Sequence, residues 1–282
     1  MHGDTHQSGP ESPSTGESIP LALPVGRARP ITSSALPPLD RGPMYLDRAT
    51  ASSVWLDLLA FTLGITAAIL LLGILAAAVS LLARDLDERL LQLLLLPLQA
   101  MAWVAVVALI LKQRGQSGLS VGWRRDQVFA DACLGLGAAG AAYAAFLGST
   151  LLLMLVWPAG AKAMQANEQA ITEMLPPLPV ALFALQIIVG FYEELVFRGF
   201  LLTRLRRVLK SWWLAIVVSS TLFAVPHVLD QEPVAAIPLF SVGVTFCIFT
   251  LWRKSVIPAM VGHAVFNTGQ ILAVYLLNPE WR

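Results

Sequence analysis

Three short stretches in the second half of the chain carry side chains that can move protons. In "YEELVFRG", Glu193 and Glu194 are adjacent and Arg198 follows; "FAVPH" ends in His227; "HAVFN" runs from His263 to Asn267. The chain has four histidines, and the other two, His2 and His6, lie close to the N-terminus. Glu194 and Arg198 are spaced i, i+4 with the acid first, the better order for an ion pair within one helix. Glu193 is rotated about 100° from Glu194 around such a helix and is left to point elsewhere. His263 and Asn267, also i, i+4, present an imidazole and a carboxamide on one surface, suited to an oxyanion, a water or a metal.

The catalytic candidates are therefore Glu193, Glu194, His227, His263 and Asn267, with Arg198 in a structural ion pair. As a set they are the equipment for hydrolysing a peptide bond: Glu193 as general base on a water, His227 assisting, and His263 with Asn267 stabilising the tetrahedral oxyanion. A metal reading uses the same residues differently, with His227, His263 and Glu193 as ligands of Zn²⁺ and a fourth position open to water. The chain contains no H-E-x-x-H helix, which excludes the zincin arrangement. The cofactor requirement is thus either none or zinc.

The surroundings of these groups are apolar. Of the 282 residues, 56% are hydrophobic and 13% charged, with a mean hydropathy of +0.69, outside the balance of soluble domains. A net charge of +1 with scattered basic residues gives no reason to expect a nucleic-acid partner. Cys133 and Cys247 both sit in apolar runs and read as small buried hydrophobes, not as a disulfide framework or thiolate metal site. Residues 1–45, rich in Ser, Pro and Gly, read as a disordered tail. No cleavable signal peptide is expected there, and the first membrane helix would be its own insertion signal.

About 20 apolar residues span a bilayer as a helix, and seven such runs occur: Val54–Leu82, Leu90–Leu111, Val128–Trp157, Val180–Arg204, Trp212–Leu229, Val234–Trp252 and Val256–Leu277. The expected fold is an all-α, polytopic transmembrane bundle of about seven helices. An eighth, re-entrant or interfacial helix fits the stretch 157–179. The expected organisation is a tail (1–45), three membrane helices (46–174) and a catalytic membrane domain (175–282). The third run is full of small residues ("GLGAAGAAYAA"), which allow close backbone approach between helices. Asp57 and Asp131 fall near helix starts, where a carboxylate reaches the interface and favours the positive end of the helix dipole.

Fifteen of the nineteen Lys and Arg residues fall before the first run, in the connections after the second and sixth runs, and between Arg198 and Lys210 at and after the end of the fourth, against Arg84, Arg89, Lys162 and Arg282 on the other side. A multi-pass protein of the cell membrane is expected, its N-terminus cytoplasmic and its C-terminus outside. Counting 1.5 Å per residue from that boundary puts Glu193 about 16 Å, His227 about 22 Å and His263 about 14 Å deep, in one layer near mid-membrane. An ionisable group at that depth costs about 2.5–3.5 kcal/mol even on lenient scales, so its default reading is functional. A single Glu–Arg pair or a lone membrane His can merely glue a bundle. Three such motifs on three helices at one depth argue against glue alone.

The motifs resemble those of the CAAX-processing and bacteriocin-immunity (CPBP, or Abi) family of intramembrane proteases. Its pattern is two adjacent glutamates followed after three residues by arginine, then F-x-x-x-H, then H-x-x-x-N or H-x-x-x-D. Glu193, Glu194 and Arg198 match the first, Phe223 and His227 the second, His263 and Asn267 the third. The resemblance implies that Glu193 and His227 activate water and that His263 with Asn267 bind the oxyanion, through a metal-dependent or a glutamate mechanism. It implies a membrane-associated peptide or protein as substrate and the lipid bilayer as surroundings. Eukaryotic relatives trim prenylated CAAX proteins; bacterial ones are linked to peptide-toxin immunity. A non-proteolytic immunity or scaffold protein, and less readily an ion-coupled transporter, are the alternatives for the same polar cluster.

Overall fold

The computed structural model describes Met44 and residues 51–174, 179–229 and 231–277; the tail with His2 and His6, and the last five residues, lie outside the described residues. The described chain is helical, and no strand occurs among the described residues. Apolar runs of this length close their backbone hydrogen bonds internally as helices, the form a hydrocarbon environment requires. The helices are α1 (Ala51–Leu82), α2 (Glu88–Gln113), α3 (Val128–Val156), α4 (Pro158–Met174), α5 (Pro179–Glu194), α6 (Leu202–Leu209), α7 (Trp212–Ala224), α8 (Ala236–Arg253) and α9 (Ile257–Leu277). Five helical segments are long and apolar enough to cross a membrane: Ser53–Leu82, Leu90–Gln113, Val128–Val156, Pro233–Arg253 and Ile257–Leu277. They correspond to the first, second, third, sixth and seventh expected spans, and the chain is an all-α polytopic bundle.

The fourth and fifth expected spans are helical but not uniformly so. Between α5 and α6 the chain passes through a π-helical segment, Leu195–Leu201, all of it buried, in which the Leu202 N–H reaches back five residues to the Phe197 carbonyl. That carbonyl also accepts the Ser219 hydroxyl of α7 at 2.9 Å, so the wide turn is tied to its neighbour. α7 ends at Ala224, and Val225–Leu229 forms a 3-10 turn. Pro226 is the cause: it has no N–H for the carbonyl of Leu222 and its ring crowds that group. His227 therefore projects from a turn instead of a helix interior.

The expected eighth helix is α4. Asn167 on it, buried, accepts the backbone N–H of Glu232 at 2.9 Å, and Met164 packs with Leu153, Val234 and Ala235. α4 is thereby docked on the connection that follows His227.

Close packing centres on α9, which lies against α3, α5 and α8. A Cβ on Gly190 of α5 would come within 2.7 Å of the Met260 carbonyl oxygen and 2.8 Å of the Ala264 nitrogen, so the α5 and α9 backbones touch there and only glycine fits. The small residues of α3 divide into two faces. Gly135 and Ala138 meet Val261 and Gly262 of α9, while Gly137, Gly140 and Gly148 face open space among the described residues.

Asp57 and Asp131 are both buried and tie helices together: Arg114 Nε donates to Asp57 at 2.5 Å, and Arg253 Nε donates to Asp131 at 2.9 Å. The connection between α2 and α3 folds onto the π segment. Gly122, at φ +74°, accepts the Val256 N–H at 3.1 Å, and a Cβ on Gly199 would meet the Val121 carbonyl oxygen at 2.7 Å.

Candidate active site

Glu194 is the last residue of α5 and is fully buried, as is Arg198 in the π segment. Arg198 Nη1 donates to Glu194 Oε1 at 2.8 Å, the intrahelical pair expected from the spacing. A buried charge needs more than one partner, and Arg198 has others. Its Nη2 reaches the Gly243 carbonyl at 3.4 Å, and its guanidinium lies 4.2 Å from the Phe223 ring centroid.

Glu194 has a second duty that spacing alone does not reveal. The same Oε1 lies 2.8 Å from Nδ1 of His263 on α9. An ionised carboxylate only accepts, so Nδ1 carries a proton and Nε2 is turned away from Glu194. Nε2 sits 3.9 Å from Glu193 Oε2. The His263 ring is stacked on Phe246, with centroids 5.5 Å apart, and meets the edge of Phe223 at 5.7 Å, which fixes its plane.

Glu193 is mostly buried, and its two oxygens differ. Oε1 accepts the Tyr192 hydroxyl at 3.0 Å; Oε2 is buried and has no hydrogen-bond partner among the described residues. Such an oxygen on an otherwise engaged carboxylate can accept a proton from an arriving water.

Asn267, one turn beyond His263, donates its Nδ2–H to Gln186 Oε1 at 3.0 Å. The Gln186–Asn267 and Glu193–His263 contacts are successive polar rungs between α5 and α9, with Gly190 between them. The second N–H of the Asn267 amide is left for another acceptor.

His227 stands apart from the carboxylates. Its Nδ1 lies 3.0 Å from the carbonyl of Phe223 four residues before it, and among the described residues it makes no hydrogen bond or ion pair to Glu193. Phe223 links the two histidines instead, its ring centroid 5.3 Å from that of His227 and 5.7 Å from that of His263. The Phe of F-x-x-x-H is thus the hub on which Arg198 and both imidazoles rest. The structure brings Glu193, Glu194, Arg198 and His263 into one connected cluster, with Asn267 on the next rung.

Among the described residues no three His, Cys, Asp or Glu side chains converge to hold a metal ion. His263 Nδ1 is engaged by Glu194 and His227 Nδ1 by the Phe223 carbonyl, the kind of contact a metal-bound imidazole makes through its second nitrogen, so on both rings Nε2 is the nitrogen left for chemistry.

The segment holding all these motifs is also the one that a known family covers. Residues 175–269 match the type II CAAX prenyl endopeptidase Rce1-like family. This agrees with the CPBP resemblance of the motifs and implies a peptidase embedded in a membrane. The match runs from just before α5 into α9 and leaves α1 to α4 outside it. No curated protein and no solved structure gives a match.

Sequence reasoning passed over three residues at the site: Tyr192, Gln99 and Gln186. Gln99 Nε2 lies 3.4 Å from the Tyr192 hydroxyl, which places α2 behind Glu193. The signal was present in part, since an amide inside an apolar helix is costly without a partner, and Gln186 lies two turns from Glu193 on the same face.

Proposed function

We propose that the chain is an intramembrane endopeptidase in which Glu193 activates water without a metal. The observation that carries this reading is the asymmetric Glu193 carboxylate: one oxygen held by Tyr192, the other buried, without a hydrogen bond among the described residues and 3.9 Å from His263 Nε2. Water attacks the carbonyl carbon as its proton passes to Glu193 Oε2. The oxyanion so formed accepts from His263 Nε2–H, when the ring is doubly protonated, and from the free Asn267 N–H. Glu193 then returns the proton to the leaving nitrogen as the oxyanion re-forms its carbonyl and the C–N bond breaks, giving an amine and a carboxylic acid, which ionises in water. His227, whose Nδ1 is fixed by its own turn, assists through Nε2. Glu194 neutralises Arg198 and holds His263.

The substrate is a membrane-associated peptide or protein, met at the basic, cytoplasmic side. A prenylated peptide ending in CAAX is the first to try, because the matched family's description names that class. The test reconstitutes the protein in vesicles and supplies farnesylated CAAX peptides together with peptides that accumulate in cells making Glu193→Gln. Cleavage by the native chain, lost by about 10²–10⁴-fold in Glu193→Gln, is the expected result. Undiminished cleavage by Glu193→Gln would overturn the reading. Stoichiometric zinc in active protein would overturn its metal-free form.

A further inference from the structure

We infer that Tyr192, backed by Gln99 of α2, is a positioning residue that selects which oxygen of Glu193 receives the proton; this rests on the peptidase reading above. Direction in the network follows from donor inventory. An ionised Glu193 only accepts, so the Tyr192 hydroxyl spends its single proton on Oε1 over 3.0 Å. The phenolic oxygen then has only lone pairs left, and Gln99 Nε2 donates to it over 3.4 Å. The order Gln99 to Tyr192 to Glu193 has no reverse while the carboxylate is charged.

The Tyr192 ring cannot swing away from this task. It is 3% exposed, lies edge-on to Trp103 with centroids 5.7 Å apart, and packs with Ala100 and Val189. Adjacent side chains on a helix diverge by about 100°, so a bond between residues 192 and 193 is not automatic. It forms because Glu193 bridges two neighbours: Oε1 turns to the Tyr192 hydroxyl on the α2 side, and Oε2 turns to His263 on α9. Without the hydroxyl the carboxylate rotates about its terminal bond, and its free oxygen no longer has one direction. Because Gln99 and Trp103 belong to α2, this restraint comes from a helix outside the family-matched segment.

The experiment measures kcat and KM for the reconstituted protein on a cleaved peptide, with Glu193→Gln as the inactive reference. Tyr192→Phe, which removes one oxygen, is expected to lower kcat about tenfold with KM unchanged, the loss of roughly one hydrogen bond. Gln99→Met, which keeps length but cannot donate, lowers kcat about threefold at unchanged KM. The double variant is no slower than Tyr192→Phe alone, because Gln99 acts only through Tyr192. Native kcat in Tyr192→Phe beside an inactive Glu193→Gln overturns the positioning role and leaves the peptidase reading standing. Full activity in Glu193→Gln overturns both. Additive losses, or a rise in KM alone, reduce Tyr192 to packing and overturn the inference. If Tyr192→Phe fails to fold, Gln99→Met, which leaves the ring in place, decides by the same kcat criterion.

Discussion

Asp131 and Glu194 are both fully buried acids paired with arginine, yet they serve opposite ends. Asp131 takes its cation from a distant helix. Arg253 reaches it from the end of α8, donates to Gln127 as well, and stays 26% exposed, so the pair joins α3 to α8 near the surface of the bundle. Asp57 and Arg114 join α1 to the end of α2 in the same way. Glu194 instead takes its cation from its own helix, where neither side chain has any exposure. The ion pair itself joins no two helices, although Arg198 also reaches the Gly243 carbonyl of α8. The pair leaves the carboxylate free to face another helix, and it faces His263. The lesson is that the origin of the counter-charge separates a staple from a site: partners between helices hold the frame, a partner within the helix makes a buried acid available.

The comparison can be broken most forcefully at Arg198. Arg198→Leu strands Glu194, which has no exposure, and is expected to cost about 3–5 kcal/mol, read from detergent or thermal unfolding of the purified protein. Arg253→Leu strands Asp131 closer to the surface of the bundle, and a smaller loss of about 1–3 kcal/mol is expected by the same measurement. Equal losses would erase the distinction. Replacing both partners sharpens it: Asp131→Leu with Arg253→Leu should recover to within about 1 kcal/mol of the native chain, since a frame pair is exchangeable for packing. The corresponding double replacement of Glu194 and Arg198 should not recover cleavage even where it folds, because His263 loses its anchor. The smallest effect belongs to Arg124 and Asp126, a pair on the exposed connection before α3. The Arg124 guanidinium bonded to it holds the Asp126 carboxyl below its usual range. Its contribution is therefore present at neutral pH and fades as pH falls through that depressed value. The exposure of Asp126 leaves so little that Asp126→Asn should not move the unfolding midpoint at pH 7.

Much of this was legible in the chain because lipid leaves a helix few choices. An apolar run of about 20 residues is a membrane helix whatever its neighbours, so five expected spans recur with ends shifted by a few residues. The Glu194–Arg198 pair is local and follows from spacing. The break at His227 was half visible, since Pro226 announces a distortion without saying that the helix stops. The π segment was not visible: "LVFRGFL" has no residue that forbids an α-helix, and the wide turn depends on Ser219 reaching the Phe197 carbonyl from α7.

Residue types and their order along the chain sufficed to mark an all-α membrane protein, to nominate Glu193, Glu194, His227, His263 and Asn267 as candidates, and to place the Arg198 pair. Hydrophobic run length and helical period are properties of one segment, and one segment carries them. Tertiary structure alone decided that His263 is held by Glu194, that Asn267 meets Gln186, that His227 rests on Phe223 apart from the carboxylates, and that Tyr192 and Gln99 stand behind Glu193. Each is a contact between helices or around a broken turn. Its partner is set by which faces pack at Gly190 and along α2, and that packing is written in no single stretch of the sequence.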